Sequence, residues 1–437
     1  MGEIPTKKVS LEVKSISDLK VLKNFPEYWR DITSFLVIHS EILSIKDKQG
    51  LIKRLRLLNV PIHIESYSWW FTHPRIFRNI SELEKNRNLL FLIQNLSEDL
   101  IIDGWKSTIL DYQNFEFVDN WFIYQKELSE ILLKKEEKIE LKIKSLRKRL
   151  VKEKEIKIQL ESFSLPYIPI LDIRGYEDKK LDALNANIEI INYFLNKFSG
   201  SDREHTCPSI VINFKTIKWS KLQELIQLIK NNFKKSWIWF VDVDDRKLSE
   251  GELRVLWKFL RKINKSNDRI FRLRLGGFLS QRFLRNEFNS ICSFIDGWGI
   301  KNFTINYYEE EEATHYFRKR HIFYPQYGNF ISSSSIIKEI ESKKCNFNCE
   351  CSACNSLYYE SKLTIPKMEY KRSKARKEEK RLTKSEIGIS QPKQSEFVKI
   401  HDLICFYNLI NMNDKDFNNI SKNWPSPGIN KWKKVKN

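Results

Sequence analysis

Cys349, Cys351 and Cys354 stand in the run NCECSACN, a C-x-C-x-x-C spacing that lets one tight turn point three thiolates at a single tetrahedral centre. Soft sulfur donors of this kind select zinc or an iron–sulfur cluster. A closed structural site needs a fourth donor. Cys345 would complete an all-cysteine set, whereas His401, which opens the helical pattern HDLICFYNLI, would complete a set of three cysteines and one histidine from a rigid element. His401 is the favoured ligand, because closing the site with a distant helix ties the module together and adds metal-binding energy to folding. Four of the seven cysteines fall within residues 345–354 of an otherwise Cys-poor chain, which is metal-site clustering rather than a disulfide framework and implies a reducing compartment.

The surrounding chain is basic. Across 437 residues, 76 Lys and Arg stand against 56 Asp and Glu, and the resulting net charge of +20 makes nucleic acid the first candidate partner. With 41% hydrophobic and 13% aromatic residues, global disorder is excluded. No apolar run approaches the roughly 18 residues of a membrane span, and the start MGEIPTKKVS lacks the apolar stretch of a secretory signal, so the expected location is cytoplasmic with no membrane partner. No Ser/His/Asp arrangement, phosphate-cradling loop or HExxH helix supports a hydrolase, NTPase or metalloprotease.

The elements that must position a site come from the alternation of β-branched or aromatic runs with helical patterns. Strands are expected at 35–43, 60–66, within 99–122, and at 167–173, 209–214, 237–243, 270–276 and 293–298. Helices are expected at 48–58, 221–233 and 250–263, where apolar residues recur at three- and four-residue spacing. This rhythm requires an α/β fold with a parallel sheet, and eight units fit a (β/α)8 TIM-like barrel, with a doubly wound open sheet as the alternative. Residues 123–160 read as a long charged helical insertion. The expected organisation is an N-terminal segment over 1–30, a barrel over 31–344 and a zinc subdomain over 345–437. A basic linker at 361–395 interrupts that subdomain, and order resumes near 396 in an amphipathic helix with Val398, Leu403, Phe406 and Leu409 on one face.

The cysteine triplet followed by a helix reading HDLICFYNLI resembles the zinc subdomain of the tRNA-guanine transglycosylase superfamily. HIFYPQYGNFISSSSII (321–337) is similar to that family's β-structured lead-in to the metal site, and FIDGW (294–298) sits where the family carries a nucleophilic aspartate. The resemblance spans about residues 30–420, with the basic linker as an insertion. It implies a (β/α)8 barrel with structural Zn2+ that exchanges guanine for a 7-deazaguanine while the phosphodiester chain stays intact. An aspartate traps the sugar's anomeric carbon and a second carboxyl manages the proton on the base.

Carried over by position, Asp296 would be the nucleophile and Asp172, in ILDIRG, the carboxylate that reads the base edge. Asn213 and Asp242, also near strand ends, would be further base-reading groups. The family's Asp-Ser-Gly-Gly-Phe segment is missing. HIESYSWW stands in its place, with Glu65 as substitute carboxylate and Trp69 and Trp70 as stacking platforms. A Gly-Gly-Leu loop expected after the sixth strand is replaced by FVDVDDRKLSEG (240–251). These departures resemble the divergent branch from bacterial and phage genome-modification clusters, which inserts 7-deazaguanines into DNA. The implied substrates are DNA and a base such as 7-cyano-7-deazaguanine, with further proteins of such a cluster as partners. A tRNA-directed enzyme and a catalytically inactive zinc-containing nucleic-acid-binding paralogue or subunit are the alternatives.

Overall fold

The structure, a computed structural model, describes residues 8–13, 16–24, 29–39, 55, 58–66, 116–133, 160–175, 177–198, 200–241, 243, 248–264, 270–275, 278–288, 290–294, 321–324, 329–332, 391–422 and 427–436. Its strands are β1 (Val9–Val13), β2 (Thr33–His39), β3 (Ile62–Glu65), β4 (Leu160–Phe163), β5 (Ser209–Asn213), β6 (Ser236–Val241), β7 (Phe271–Arg274), β8 (Cys292–Phe294), β9 (His321–Tyr324) and β10 (Asn329–Ser332). Its helices are α1 (Ile16–Asn24), α2 (Glu116–Leu133), α3 (Glu177–Lys197), α4 (Gly200–Glu204), α5 (Leu222–Asn232), α6 (Glu250–Ile263), α7 (Phe278–Leu284), α8 (Gln391–Asn411), α9 (Asp414–Ser421) and α10 (Pro427–Lys436), with a 3-10 turn at Lys215–Lys218.

The class is α/β with parallel sheets. One sheet has the order β4-β3-β2-β1-β8 and the other β5-β6-β7, with parallel pairing throughout, while β9 and β10 form a separate antiparallel pair. Isolated parallel bridges join the margins of the two sheets: Phe163 at the end of β4 pairs with Thr206 just before β5, and Leu273 on β7 pairs with Ile291 just before β8. Strands β1, β2, β3, β5, β6 and β7 bury both of their faces. Leu11, Ile38, Ile62, Ile64, Ile212, Ile238, Phe240 and Leu273 belong to the large core that includes helical residues such as Leu225, Ile229, Leu256 and Leu260. The alternate residues Phe35, Val37, Cys207, Trp237 and Cys292 pack against one another, so the second faces of the two sheets look toward each other.

Local sequence explains the best-formed helices. Ser249 and Glu252 make a capping box that starts α6, whose Leu253, Leu256, Trp257, Leu260 and Ile263 then fall on the buried stripe. Asn413 caps α9 by accepting from the Asp416 amide. The C-terminal helices dock on α6 and α7 through Trp432, which stacks on Phe283 at 5.5 Å and meets Trp257 edge-on at 6.3 Å.

Several sequence expectations shift. Within the segment 1–30, expected to precede the barrel, Val9–Val13 forms β1, which lies between β2 and β8. VSLEV was overlooked because it is short and Glu12 and Ser10 interrupt its apolar run, although both are buried. The fourth strand is Leu160–Phe163 rather than 167–173, whose extended backbone makes one bridge, Ile170 to Ile212. The strand expected within 99–122 is replaced over 116–122 by the start of α2, whose Trp121, Phe122 and Tyr124 are buried; 99–115 lie outside the described residues. Residues 123–133 of the expected charged helix belong to α2, and 134–159 also lie outside. The helix expected from 396 begins at Gln391. Its middle is buried all round rather than on one face, since Ile400 through Phe406 are all buried. Among the described residues, no helix is long and apolar enough to cross a membrane.

Candidate functional site

The faces that the sheets turn toward each other carry charge near the C-terminal strand ends. Glu12 on β1, His39 ending β2, Glu65 ending β3 and Arg274 ending β7 are all buried. Register explains their meeting: His39 pairs with Glu65, Glu12 with Val37 and Phe294, and Arg274 with Trp239. Arg274 Nη1 donates to Glu65 Oε2 at 2.7 Å, and its Nη2 lies 2.9 Å from Glu12 Oε1. His39 Nε2 lies 2.6 Å from that same Glu12 oxygen. Ser164 donates to Glu65 Oε1 at 3.1 Å, and the Arg274 guanidinium stacks 4.1 Å from the Trp239 ring centroid. One pleat deeper, His63 Nδ1 meets Ser162 Oγ at 2.8 Å, while its Nε2 is 3.7 Å from Glu65, beyond hydrogen-bond reach.

This packing sets protonation. Burial, the largest single influence, would raise the Glu65 carboxyl, but the Arg274 charge together with His63 and His39 outweighs it and brings the pKa down to about 2. Burial pushes the His63 imidazole below its ordinary value, and Arg272 and Arg274 add to that. Arg274 is raised, the attraction of Glu12 and Glu65 exceeding the effect of burial. Glu65 is thus a fixed anion at neutral pH. A proton handler works best with a pKa near the working pH, so this placement argues against the acid/base role expected of Glu65.

Asp172 sits in a second arrangement beyond β4, level with the end of β5. Asn213 accepts from the Asp172 amide at 3.2 Å and donates to the Asp172 carbonyl at 3.1 Å, and Thr216 Oγ1 also accepts from that amide at 3.2 Å. Asn213 is therefore a clamp on the Asp172 backbone; its amide is committed, rather than offered to a base as expected. The Asp172 carboxylate is 30% exposed and pairs with Lys180 at 2.9 Å, and that ammonium lies 4.9 Å from the Trp219 ring centroid.

His401 is fully buried on α8, which packs against α7, α1 and β9. Cys405 Sγ lies 3.8 Å from its ring nitrogens. Cys349, Cys351, Cys354, Asp242, Asp296, Trp69 and Trp70 lie outside the described residues, and among those described no group of three or more His, Cys, Asp or Glu could hold a metal. Sequence reasoning missed Glu12, His39, His63 and Arg274. The available signal was the alternation of apolar and polar residues in FRLR and VSLEV, which reads equally well as a solvent-facing edge. No family model, curated protein or solved structure matches this chain.

Proposed function

We propose that this chain is a (β/α)8-barrel transglycosylase that replaces guanine in DNA with a 7-deazaguanine through a covalent Asp296–sugar intermediate. The observation that carries the reading is Asp172: a part-exposed carboxylate at the C-terminal side of parallel strands, its backbone held from two directions by Asn213 and Thr216. A carboxylate held there can accept hydrogen bonds from the N–H donors of a guanine edge. Barrel closure is supported by the two marginal bridges, which leave each of the eight parallel strands with a neighbour on either side. Asp296 lies two positions past β8, the strand register-paired with Glu12.

Zinc belongs to the same proposal. Cys349, Cys351, Cys354 and His401 would hold it. A fully buried imidazole on a helix packed against the rest of the fold fits a closed structural site better than a catalytic one. When bound, the ion would supply folding energy.

The test is incubation of the protein with guanine-containing DNA or with tRNA, each with 7-cyano-7-deazaguanine, followed by nucleoside mass spectrometry and elemental analysis. Modified deoxynucleoside, lost in Asp296→Asn, with about one zinc per chain is the expected result. Modified ribonucleoside alone would move the substrate to tRNA. No product from either would overturn the enzymatic reading, and a folded zinc-free protein would overturn the metal site.

A further inference from the structure

Thr216, whose hydroxyl oxygen accepts from the Asp172 amide, belongs to a 3-10 turn that begins two residues past β5 and carries an exposed lysine at each end, Lys215 and Lys218. A third exposed lysine, Lys221, precedes α5, and the chain has no acidic residue between Glu204 and Glu224. The turn is fixed from within: the Thr216 amide donates to the Asn213 side-chain oxygen at 3.2 Å, and Thr216 and Ile217 are buried. Its lysines therefore stand at a set place on the C-terminal side of the strands, beside the carboxylate assigned above to the base edge.

A second basic segment reaches the same face from far along the chain. Lys431 of α10 donates to the Leu248 carbonyl, just before α6, at 2.9 Å. Lys434, three residues on, lies 3.6 Å from Glu250 with 69% of its side chain exposed. Past Asp416 the sequence holds no acidic residue. Glu252, held below the usual carboxylate range chiefly by its hydrogen bonds to Ser249, also feels Lys218 and Lys431, so the β5 turn and α10 come together near the start of α6. The two glutamates there leave positive charge in surplus. Glu252 is committed to the Ser249 amide and hydroxyl, and Glu250 is shared between Arg254 and Lys434.

We propose that Lys215, Lys218, Lys221 and Lys434 form a surface that binds the phosphate backbone of DNA and holds it where a base can reach Asp172. The choice of DNA and the role of Asp172 rest on the transglycosylase reading above; the binding itself needs no catalysis. Lysine is a compact charge on a flexible stem, suited to phosphate contacts that position a strand without reading its sequence. Two segments distant in the chain bring these charges to one face, the face that carries Asp172. A base-reading group works only when the backbone is fixed in register beside it, and phosphate contacts supply that register.

The experiment measures binding of the full-length protein to a fluorescein-labelled, guanine-containing DNA duplex by anisotropy over a range of salt concentrations, with urea unfolding of each variant. The patch variant is Lys215→Gln/Lys218→Gln/Lys221→Gln, and Lys434→Gln is tested alone. The control, Lys230→Gln/Lys234→Gln/Lys262→Gln, removes the same charge from the ends of α5 and α6 and the start of β6, toward the opposite ends of the strands. Wild-type affinity is expected to fall steeply with salt. The slope of log affinity against log salt should shrink by up to about 2.7 in the patch variant and by about 0.9 in Lys434→Gln, since each lost phosphate contact releases fewer counterions. The control should keep the wild-type slope. A wild-type slope in both the patch variant and Lys434→Gln, or an equal loss in the control, overturns the proposal; should the patch variant fail to fold, Lys434→Gln against the control decides it. Wild-type protein that binds tRNA or anionic phospholipid vesicles but not the duplex overturns DNA as the partner. Protein that binds DNA through these lysines yet exchanges no base keeps the surface and removes the transglycosylase reading.

Discussion

The five-stranded sheet turns Glu12, His39, His63 and Glu65 inward, whereas the three-stranded sheet answers with Trp237, Trp239, Val241 and the two arginines of β7. Neither face would be stable alone, because one carries buried carboxylates and the other buried guanidinium groups. Together they neutralise each other at both ends of the strands. Arg274 meets Glu12 and Glu65 near the C-terminal ends, and Arg272 meets Glu161 at the other end, with its guanidinium 4.7 Å from the Phe35 ring centroid. On the β4–β6 side the interior is apolar, with Tyr167, Leu171, Val211, Trp239 and Val241 in one cluster. The facing surfaces thus have a charged sector and an apolar one, and charge complementarity adds to the apolar packing and the marginal bridges between the two sheets.

The sharpest way to break this comparison is Arg274→Met, which leaves two carboxylates buried without their cation. We expect a loss of about 3–5 kcal/mol by urea unfolding, or failure to fold. Adding Glu65→Gln to that variant should recover part of the loss, because the second change removes a stranded charge. A purely additive double variant would mean that the sheets are joined by packing and not by charge.

Acid provides the next test. The Glu65 pKa is about 2 in the folded protein against an ordinary 4.5, so its contribution is present above pH 4.5 and is lost as pH falls toward 2. The amount is on the order of 3 kcal/mol, and Glu65→Gln should flatten that part of the stability–pH curve. His63 has the opposite origin but the same sign. Its folded pKa is lowered, so the unfolded chain binds the proton first and stability falls as pH drops below about 6.5.

Smaller effects are expected away from the charged sector. Asn213→Ala leaves the Asp172 backbone without its clamp and should lower stability by about 1–3 kcal/mol, with proteolysis between β4 and α3 increasing. Lys180→Ala removes a part-exposed ion pair and should change stability by less than about 1 kcal/mol. Lys234→Ala, at an exposed pair with Glu204, should leave the unfolding midpoint unchanged. A large effect there would show that surface charge, not the interior cluster, supports the fold.

Local signals in the sequence determined much of this protein. The run WIWFVDV marked β6, EGELRVLWKFLRKI coincided with α6, and the alternation of strands and helices required parallel sheets. Those features depend on neighbours a few residues apart, which periodicity and capping report directly. The number of expected strands was eight, but one within 99–122 was spurious over the part that α2 occupies and β1 was missing, because Glu12 and Ser10 look solvent-facing until another sheet covers them. Asp172 was legible as a carboxylate after an apolar run, whereas its place beyond β4 and its clamp by Asn213 required the bridge between Ile170 and Ile212. Only the tertiary structure decided that Glu65 is a fixed anion, since Arg274 lies 209 residues away in the chain. A period of two tells which residues share a strand face and nothing about what that face meets, so a charge at such a position reads alike whether it faces water or a buried partner.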